Sequence, residues 1–474
     1  MISRRQFTKI MALSAAALPA LTSIRCRGRS APYNVLFIAV DDLRPQLGCF
    51  GHDQIISPNI DRLAAGGMMF ERAFCQVPVC GASRSSLLTG VRPARDRFVS
   101  YDTWAEKDMP DTVTLPALFK NHGYHTVSNG KVFHHLQDCS ESWSEPPWRP
   151  SGDWRNYQLE PHRDLQKTNP RGAGPSTETA DVADDAYFDG QIASKTISDL
   201  QRLSEMESPF FIAAGFLKPH LPFNAPAKYW DLYPREKIDL ADNPFRPKDA
   251  PDAALHNWGE LRQYTDIPAS GPLPEDKART LVHGYYACVS YTDAQIGRLL
   301  DELDRLGLSE RTIVVLWGDH GWNLGEHGLW CKHCNFKTSL RAPLILRGPG
   351  IKPGRSTRAL TEFVDIYPTL CELCGIAAPD HLQGSSLLPV IRQPDSPWKE
   401  AVFSRFHAGE SIKTDRYSYT EWRDEDGEIY ARMLYDHETD PAENVNLAGR
   451  PENRELVEKL AQMLKAGWEP IRRQ

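Results

Sequence analysis

The stretch Thr312-Ile313-Val314-Val315-Leu316-Trp317-Gly318-Asp319-His320-Gly321 decides the fold. Five apolar residues in a row behind Thr312 describe a strand covered on both faces, as in a parallel sheet. The run ends abruptly in an aspartate and a histidine. Working outward, the same pattern recurs. Val35-Leu36-Phe37-Ile38-Ala39-Val40 ends in Asp41-Asp42, and Phe210 to Phe216 ends in Lys218-Pro219-His220. His125-Thr126-Val127-Ser128, closed by Asn129-Gly130, leads into Lys131-Val132-Phe133-His134, and Pro343 to Leu346 closes with Gly348-Pro349-Gly350. Helices over about 186–206 and 277–306 separate these strands. The fold expected is α/β, with a doubly wound, mostly parallel sheet. Ligands of such sheets bind beyond the carboxyl ends of the strands, which places Asp41, Asp42, Lys131, His134, His220, Asp319 and His320 on one edge.

Two stretches resist the pattern. Residues 137–185 are rich in Trp, Pro, Ser, Asp and Gly without a sustained period, and 225–277 is a second Pro- and Asp-rich excursion. Beyond Pro394 the character changes. Arg416-Tyr417-Ser418-Tyr419-Thr420 and Arg432-Met433-Leu434-Tyr435 alternate, with Asp424-Glu425-Asp426-Gly427 between them, as in an antiparallel meander, and Leu456 to Trp468 forms a closing helix. The organisation expected is an export signal over 1–30, a catalytic α/β domain over 31–394, and an α+β subdomain over 395–474.

The 474 residues carry a net charge of −7, and residues 1–31 hold six basic residues and no acidic one, so removing those charges takes −7 to −13. An acidic body argues against nucleic acid as a partner and requires a local pocket for any anionic substrate. Ser3-Arg4-Arg5-Gln6-Phe7 followed by the apolar run Ile10 to Leu21 reads as a twin-arginine export signal, too short to span a bilayer. The expectation is a periplasmic or secreted protein whose mature chain makes no stable membrane insertion. Ten cysteines in this length do not make a disulfide scaffold. Cys371 and Cys374 fall in an amphipathic helix expected to end at Gly375, which argues against a zinc site.

Chemistry concentrates in Cys80-Gly81-Ala82-Ser83-Arg84-Ser85-Ser86-Leu87-Leu88-Thr89-Gly90. A helix opening at Ser83 leaves Cys80 just before its N-terminus, where unpaired N–H groups and Arg84 favour an anion. Adjacent carboxylates such as Asp41 and Asp42 repel unless a cation neutralises them. With Asp319, His320 and the Cys80 position they form a set for one divalent cation. Oxygen-rich ligation favours Ca²⁺, with Mg²⁺ the alternative.

The Cys80 run resembles the signature of the type I sulfatases, whose cysteine is oxidised to formylglycine. It departs from that signature in carrying Ala82 where the family has proline. Five further runs match the iduronate-2-sulfatase-like branch in the same order. They are Val40-Asp41-Asp42-Leu43-Arg44-Pro45, Gly130-Lys131-Val132-Phe133-His134, Lys218-Pro219-His220-Leu221-Pro222-Phe223, Asp319-His320-Gly321-Trp322 through Gly325-Glu326-His327-Gly328 to Lys332, and Lys413-Thr414-Asp415-Arg416-Tyr417. The resemblance implies the alkaline-phosphatase/sulfatase fold with a smaller C-terminal subdomain. It also implies a sulfate ester hydrolase acting on a sulfated sugar, a glycosaminoglycan or other polysaccharide fragment, with a 2-O-sulfo uronic acid as one such substrate.

On that resemblance, a hydrated formylglycine from Cys80, bound to the cation, attacks sulfur. His220, with Lys332 nearby, protonates the leaving oxygen. His134 takes the proton that frees sulfate, while Arg84, Lys131 and Lys332 offset negative charge. Trp422 and Arg423 are expected on the substrate side. A formylglycine-generating or anaerobic sulfatase-maturating enzyme is the implied partner. Two alternatives stand beside this reading: a phospho- or phosphonate monoester hydrolase of the same fold, or a glycan-binding protein with Cys80 unmodified.

Overall fold

A computed structural model describes residues 32–471; the export-signal segment and Cys26 lie outside the described residues. The central sheet is built on β1 (Asn34–Val40), β2 (Met68–Phe70), β3 (His125–Gly130), β4 (Phe210–Phe216), β5 (Thr312–Gly318), β6 (Leu344–Arg347) and β7 (Arg355–Thr357). Their order across the sheet is β7-β2-β6-β5-β1-β4-β3. Strands β5, β1, β4 and β3 run parallel, and β6 is antiparallel to both β5 and β2.

Each side of the sheet has its own core because successive side chains point to opposite faces. Leu36, Ile38 and Val40 join the core lined by α-helices Phe188–Ser204 and Glu275–Arg305. Val35, Phe37 and Ala39 join the one beneath Leu115–Asn121 and Ile366–Cys374. Burying each such Val, Leu, Ile or Phe contributes about 1.5–3 kcal/mol. Register then sets the site. Val40 pairs with both Phe216 and Gly318, so β1 and its two neighbours end level. The Asp41 N–H donates to the Phe216 carbonyl at 3.1 Å and the Asp319 N–H to the Val40 carbonyl at 3.2 Å. Gly130 and Gly215 pair where β3 and β4 end, and a Cβ on Gly215 would collide with the Lys131 backbone. Glycine there lets Lys131 turn in towards the site.

The carboxyl-terminal meander is Ala401–Phe406, Gly409–Thr414, Tyr417–Arg423 and Ile429–Asp436, with helix Arg454–Ala466 closing a small core of Ala401, Ile412, Tyr419, Leu434 and Leu460. Buried Glu362 accepts two bonds from Arg92, at 2.6 and 2.5 Å, one from Lys399 at 2.8 Å and one from the Phe403 N–H at 2.9 Å. That carboxylate ties the first strand of the meander to the sheet body.

Several local expectations are corrected. The helix of the cysteine run begins at Cys80, not Ser83, with Val79 as its N-cap, so Cys80 lies in the first turn. Ser57, a residue type that commonly caps helices, directly precedes helix Pro58–Ala65, where the sequence suggests a cap, but its side chain makes no cap bond. Asp293, from the long helix Glu275–Arg305, accepts the Asn59 and Ile60 N–H groups instead, at 3.1 and 2.7 Å. The 137–185 stretch contains helix Glu160–Thr168 and strand Thr177–Ala180, which pairs with Phe223–Pro226. That helix buries no residue, so it left no apolar period to read. The nine described cysteines are unpaired thiols. No helix among the described residues is long and apolar enough to cross a membrane.

Candidate active site

Asp41 and Asp42 leave β1, Asp319 and His320 leave β5, and the first turn of helix Cys80–Thr89 faces them. Ligand atoms of Asp41, Cys80, Asp319 and His320 lie within 4.8 Å of one another, and all four residues are buried. Asp42 adopts a left-handed backbone (φ 61°), which lets its N–H donate to Asp319 Oδ1 at 3.0 Å while its carbonyl accepts from the Tyr285 hydroxyl at 2.8 Å. His320 Nε2 is 3.5 Å from Asp42 Oδ1 and 3.4 Å from Cys80 Sγ. Its Nδ1 is held by the Gly321 carbonyl at 3.0 Å, which leaves Nε2 to face the cluster.

Three cations balance the three carboxylates. Arg84, fully buried, bonds Asp319 Oδ2 through Nε at 2.9 Å, reaches Asp41 at 3.3 Å, and donates to the Lys131 and Val132 carbonyls. Lys131 Nζ pairs with Asp41, and Lys332 Nζ lies 3.0 and 3.2 Å from the Asp42 carboxylate oxygens. Glu260, 2.9 Å from Lys332, is a fourth carboxylate, so a divalent cation turns a net −1 into a net +1, a charge suited to an anionic sulfate ester. The donor set of three carboxylates and one imidazole fits a divalent metal and is too rich in hard oxygen for a thiolate-type zinc site. Burial, and the unfavourable charge of Asp41 beside it, push the Cys80 thiol up to about 12, so as a thiol it stays protonated.

His220 Nδ1 donates to the Leu221 carbonyl at 2.6 Å and Nε2 meets Glu260 Oε1 at 3.0 Å, so both ring nitrogens face acceptors. Burial first, and Lys332 next, lower its pKa, while Asp41 and Glu260 oppose them. His134 Nδ1 is buried without a hydrogen-bond partner. Burial and the neighbouring Lys131 ammonium bring that histidine down to about 2, so it is neutral and a weak base until negative charge brought by the substrate raises it. Arg149 holds the loop carrying it through the Gly130 carbonyl at 3.0 Å and the His134 carbonyl at 2.9 Å.

The structure thus brings together Asp41, Asp42, Cys80, Arg84, Lys131, His220, Asp319, His320 and Lys332, with His134 beside Lys131. Trp422 and Arg423 are not drawn into this cluster. Trp422 is buried against Gly409, and Arg423 bonds Glu421 at 2.5 Å and the Gly427 carbonyl at 3.0 Å. Sequence reasoning missed Glu260, Arg149 and Trp154. Trp154, 38% exposed, stands edge-on to His220 at 5.2 Å with the Arg155 guanidinium over its ring at 4.4 Å. All three sit in the two aperiodic excursions, where no motif spacing singles out a residue.

Comparison with known proteins agrees with this geometry. The family model described as Sulfatase matches residues 33–376, and one described as N-sulphoglucosamine sulphohydrolase, C-terminal, matches 325–469. Human iduronate 2-sulfatase is 34% identical, covering 90% of this chain and 93% of its own. Two solved structures share the fold. The phosphonate monoester hydrolase of Silicibacter pomeroyi has TM-score 0.74 at 22% identity, covering 92% of this chain and 95% of its own. BT1596, a 2-O GAG sulfatase, has TM-score 0.71 at 24% identity, covering 92% and 91%.

Proposed function

The chain belongs to the sulfatase family, and from that membership we propose that it releases the 2-O-sulfate of a uronic acid unit in a glycosaminoglycan or related polysaccharide fragment. It is a sulfuric ester hydrolase of sulfated sugars; the sugar and the position are the finer reading. Its support is the 34% identity to an iduronate 2-sulfatase over nearly the whole chain. The observation that carries the mechanism is the convergence of Asp41, Asp42, Asp319 and His320 on Cys80, ringed by Arg84, Lys131 and Lys332.

Asp41, Asp42, Asp319 and His320 would hold the divalent cation, read here as Ca²⁺ from its oxygen-rich ligands, and Cys80 would become the formylglycine. Together those two groups supply the nucleophile and the charge that draws a sulfate ester in. Arg84, Lys131 and Lys332 offset the negative charge that gathers on the sulfate oxygens. His220 gives its Nε2 proton to the departing sugar oxygen, an alkoxide too basic to leave bare. His134, neutral and unpartnered at Nδ1, takes up the proton released within the site. Trp154 at the mouth offers a flat apolar wall to a sugar ring.

The protein is read as exported through the twin-arginine segment, with a formylglycine-generating or anaerobic maturating enzyme acting on Cys80. The test is the mass of the Cys80 peptide, from protein expressed with and without such a partner, alongside sulfate release from a panel of sulfated disaccharides. Thiol-to-aldehyde conversion that tracks with release from a 2-O-sulfated uronic acid supports the reading. An unmodified thiol with no release under either condition overturns it in favour of a glycan-binding protein. Release of phosphate rather than sulfate from matching esters would favour the phosphoester hydrolase.

A further inference from the structure

We propose that Glu260 is a positioning residue shared by His220 and Lys332, one carboxylate that holds the His220 Nε2–H and the Lys332 ammonium at the site until the leaving oxygen replaces it at Nε2. The inference rests on the sulfatase reading above. Glu260 stands at the start of the short turn Leu261–Gln263, in the excursion where sequence pattern gave no guidance. Its backbone is anchored by buried Trp258 and Leu261, and Trp258 Nε1 donates to the Gly328 carbonyl at 3.0 Å. The carboxylate therefore projects from a fixed turn.

One oxygen does both tasks. Oε1 lies 3.0 Å from His220 Nε2 and 2.9 Å from Lys332 Nζ. Oε2 is buried without a hydrogen-bond partner, with the neutral His333 Nδ1 3.9 Å away. Some buried acids outside the site hold backbone N–H groups, while Asp199 and Glu421 take side-chain partners that also lie outside it. Asp189 accepts from Leu217 and Lys218, both at 2.8 Å, and Asp365 accepts from the Ser385 N–H at 2.8 Å. Glu260 instead spends its bonds on two side chains of the reaction site.

The competing partner shows what this arrangement prevents. His220 Nε2 is 3.8 Å from Asp42 Oδ2, and Lys332 already binds Asp42. Without Glu260 both cationic side chains would be drawn to Asp42, a carboxylate needed for the metal, and the donor would turn away from the leaving oxygen. A displacement of this kind costs rate more than it costs binding.

The experiment is a double-mutant cycle of Glu260→Ala and His220→Ala in matured, calcium-loaded protein, with sulfate release from a 2-O-sulfated uronic acid disaccharide as readout. In the otherwise native enzyme E260A lowers kcat by about 10²-fold with KM changed less than about threefold, as expected when a proton donor is misaimed. In the H220A background the same change costs roughly tenfold less, because the group it acts through is gone. Glu260→Gln keeps an acceptor oxygen in place and recovers part of the lost kcat. If E260A fails to fold, judged by its thermal midpoint, E260Q is carried through the same cycle. Unchanged kcat in E260A, or equal losses with and without His220, overturns the proposal. A native enzyme that releases no sulfate is a different result, and it sinks the sulfatase reading instead.

Discussion

Arg84 Nε lies 2.9 Å from Asp319 Oδ2, and neither side chain has any solvent-exposed surface. The two are 235 positions apart, joined only because helix Cys80–Thr89 faces the end of β5. Removing one partner strands a buried carboxylate. Arg84→Ala is expected to lower stability by about 3–5 kcal/mol and to abolish sulfate release. Arg84→Lys rescues little, since an ammonium cannot reach Asp319, Asp41 and the Lys131 and Val132 carbonyls at once. Urea unfolding of both variants checks this, and native-like stability in Arg84→Ala would confine its role to substrate.

Metal removal should stop the reaction without unfolding the protein, because Arg84, Lys131 and Lys332 already offset most of the negative charge of Asp41, Asp42, Asp319 and Glu260. Dialysis against a chelator is expected to abolish sulfate release while the thermal midpoint falls only modestly. Ca²⁺ should restore activity at lower concentration than Mg²⁺, and Asp319→Asn should raise the Ca²⁺ requirement at least tenfold. Restoration by Zn²⁺ alone would contradict the oxygen-rich site.

Acid stability should depend on Glu362. Burial by itself would raise that carboxyl, but Arg92 and Lys399 outweigh it and hold it at about 2 against an ordinary 4.5. A depressed carboxylate stabilises the fold above its unfolded pKa, and that contribution is lost as pH falls from about 4.5 through 2. The difference corresponds to about 3 kcal/mol. Glu362→Gln should therefore lose roughly this much at neutral pH and show a flatter decline of thermal midpoint on acidification. Parallel pH profiles for the two proteins would show that the pairing contributes nothing.

Ala82 is the one departure from the family signature, and its backbone, in the first turn of the helix, is one that proline tolerates. Position 82 is third in a helix beginning at Cys80, where the N–H has no partner in the helix to lose. Ala82→Pro is expected to change stability by less than about 1 kcal/mol and to raise the fraction of Cys80 converted by a formylglycine-generating partner. Intact peptide mass measures the fraction. An unchanged fraction would show that the maturing enzyme does not read this position.

Much of this protein was determined by its sequence alone. Unbroken apolar runs of strand length that end in charge point to strands buried on both faces, mostly parallel here, with β6 the antiparallel exception. Those runs fixed the sheet, its reactive edge, and the residues Asp41, Asp42, Lys131, His220, Asp319 and His320 on it. The tertiary structure decided what has no period. Glu260, Arg149 and Trp154 lie in excursions whose course is set by packing against distant elements, so no local spacing marks them. It also moved the helix start to Cys80 and gave the cap of Pro58–Ala65 to Asp293, over 200 residues away. Trp422 joined the large core of the sheet body, and Arg423 stayed on the meander because the neighbouring carboxylate Glu421 claims its guanidinium. Local chemistry names the residues that can react, and only the long-range fold chooses their partners.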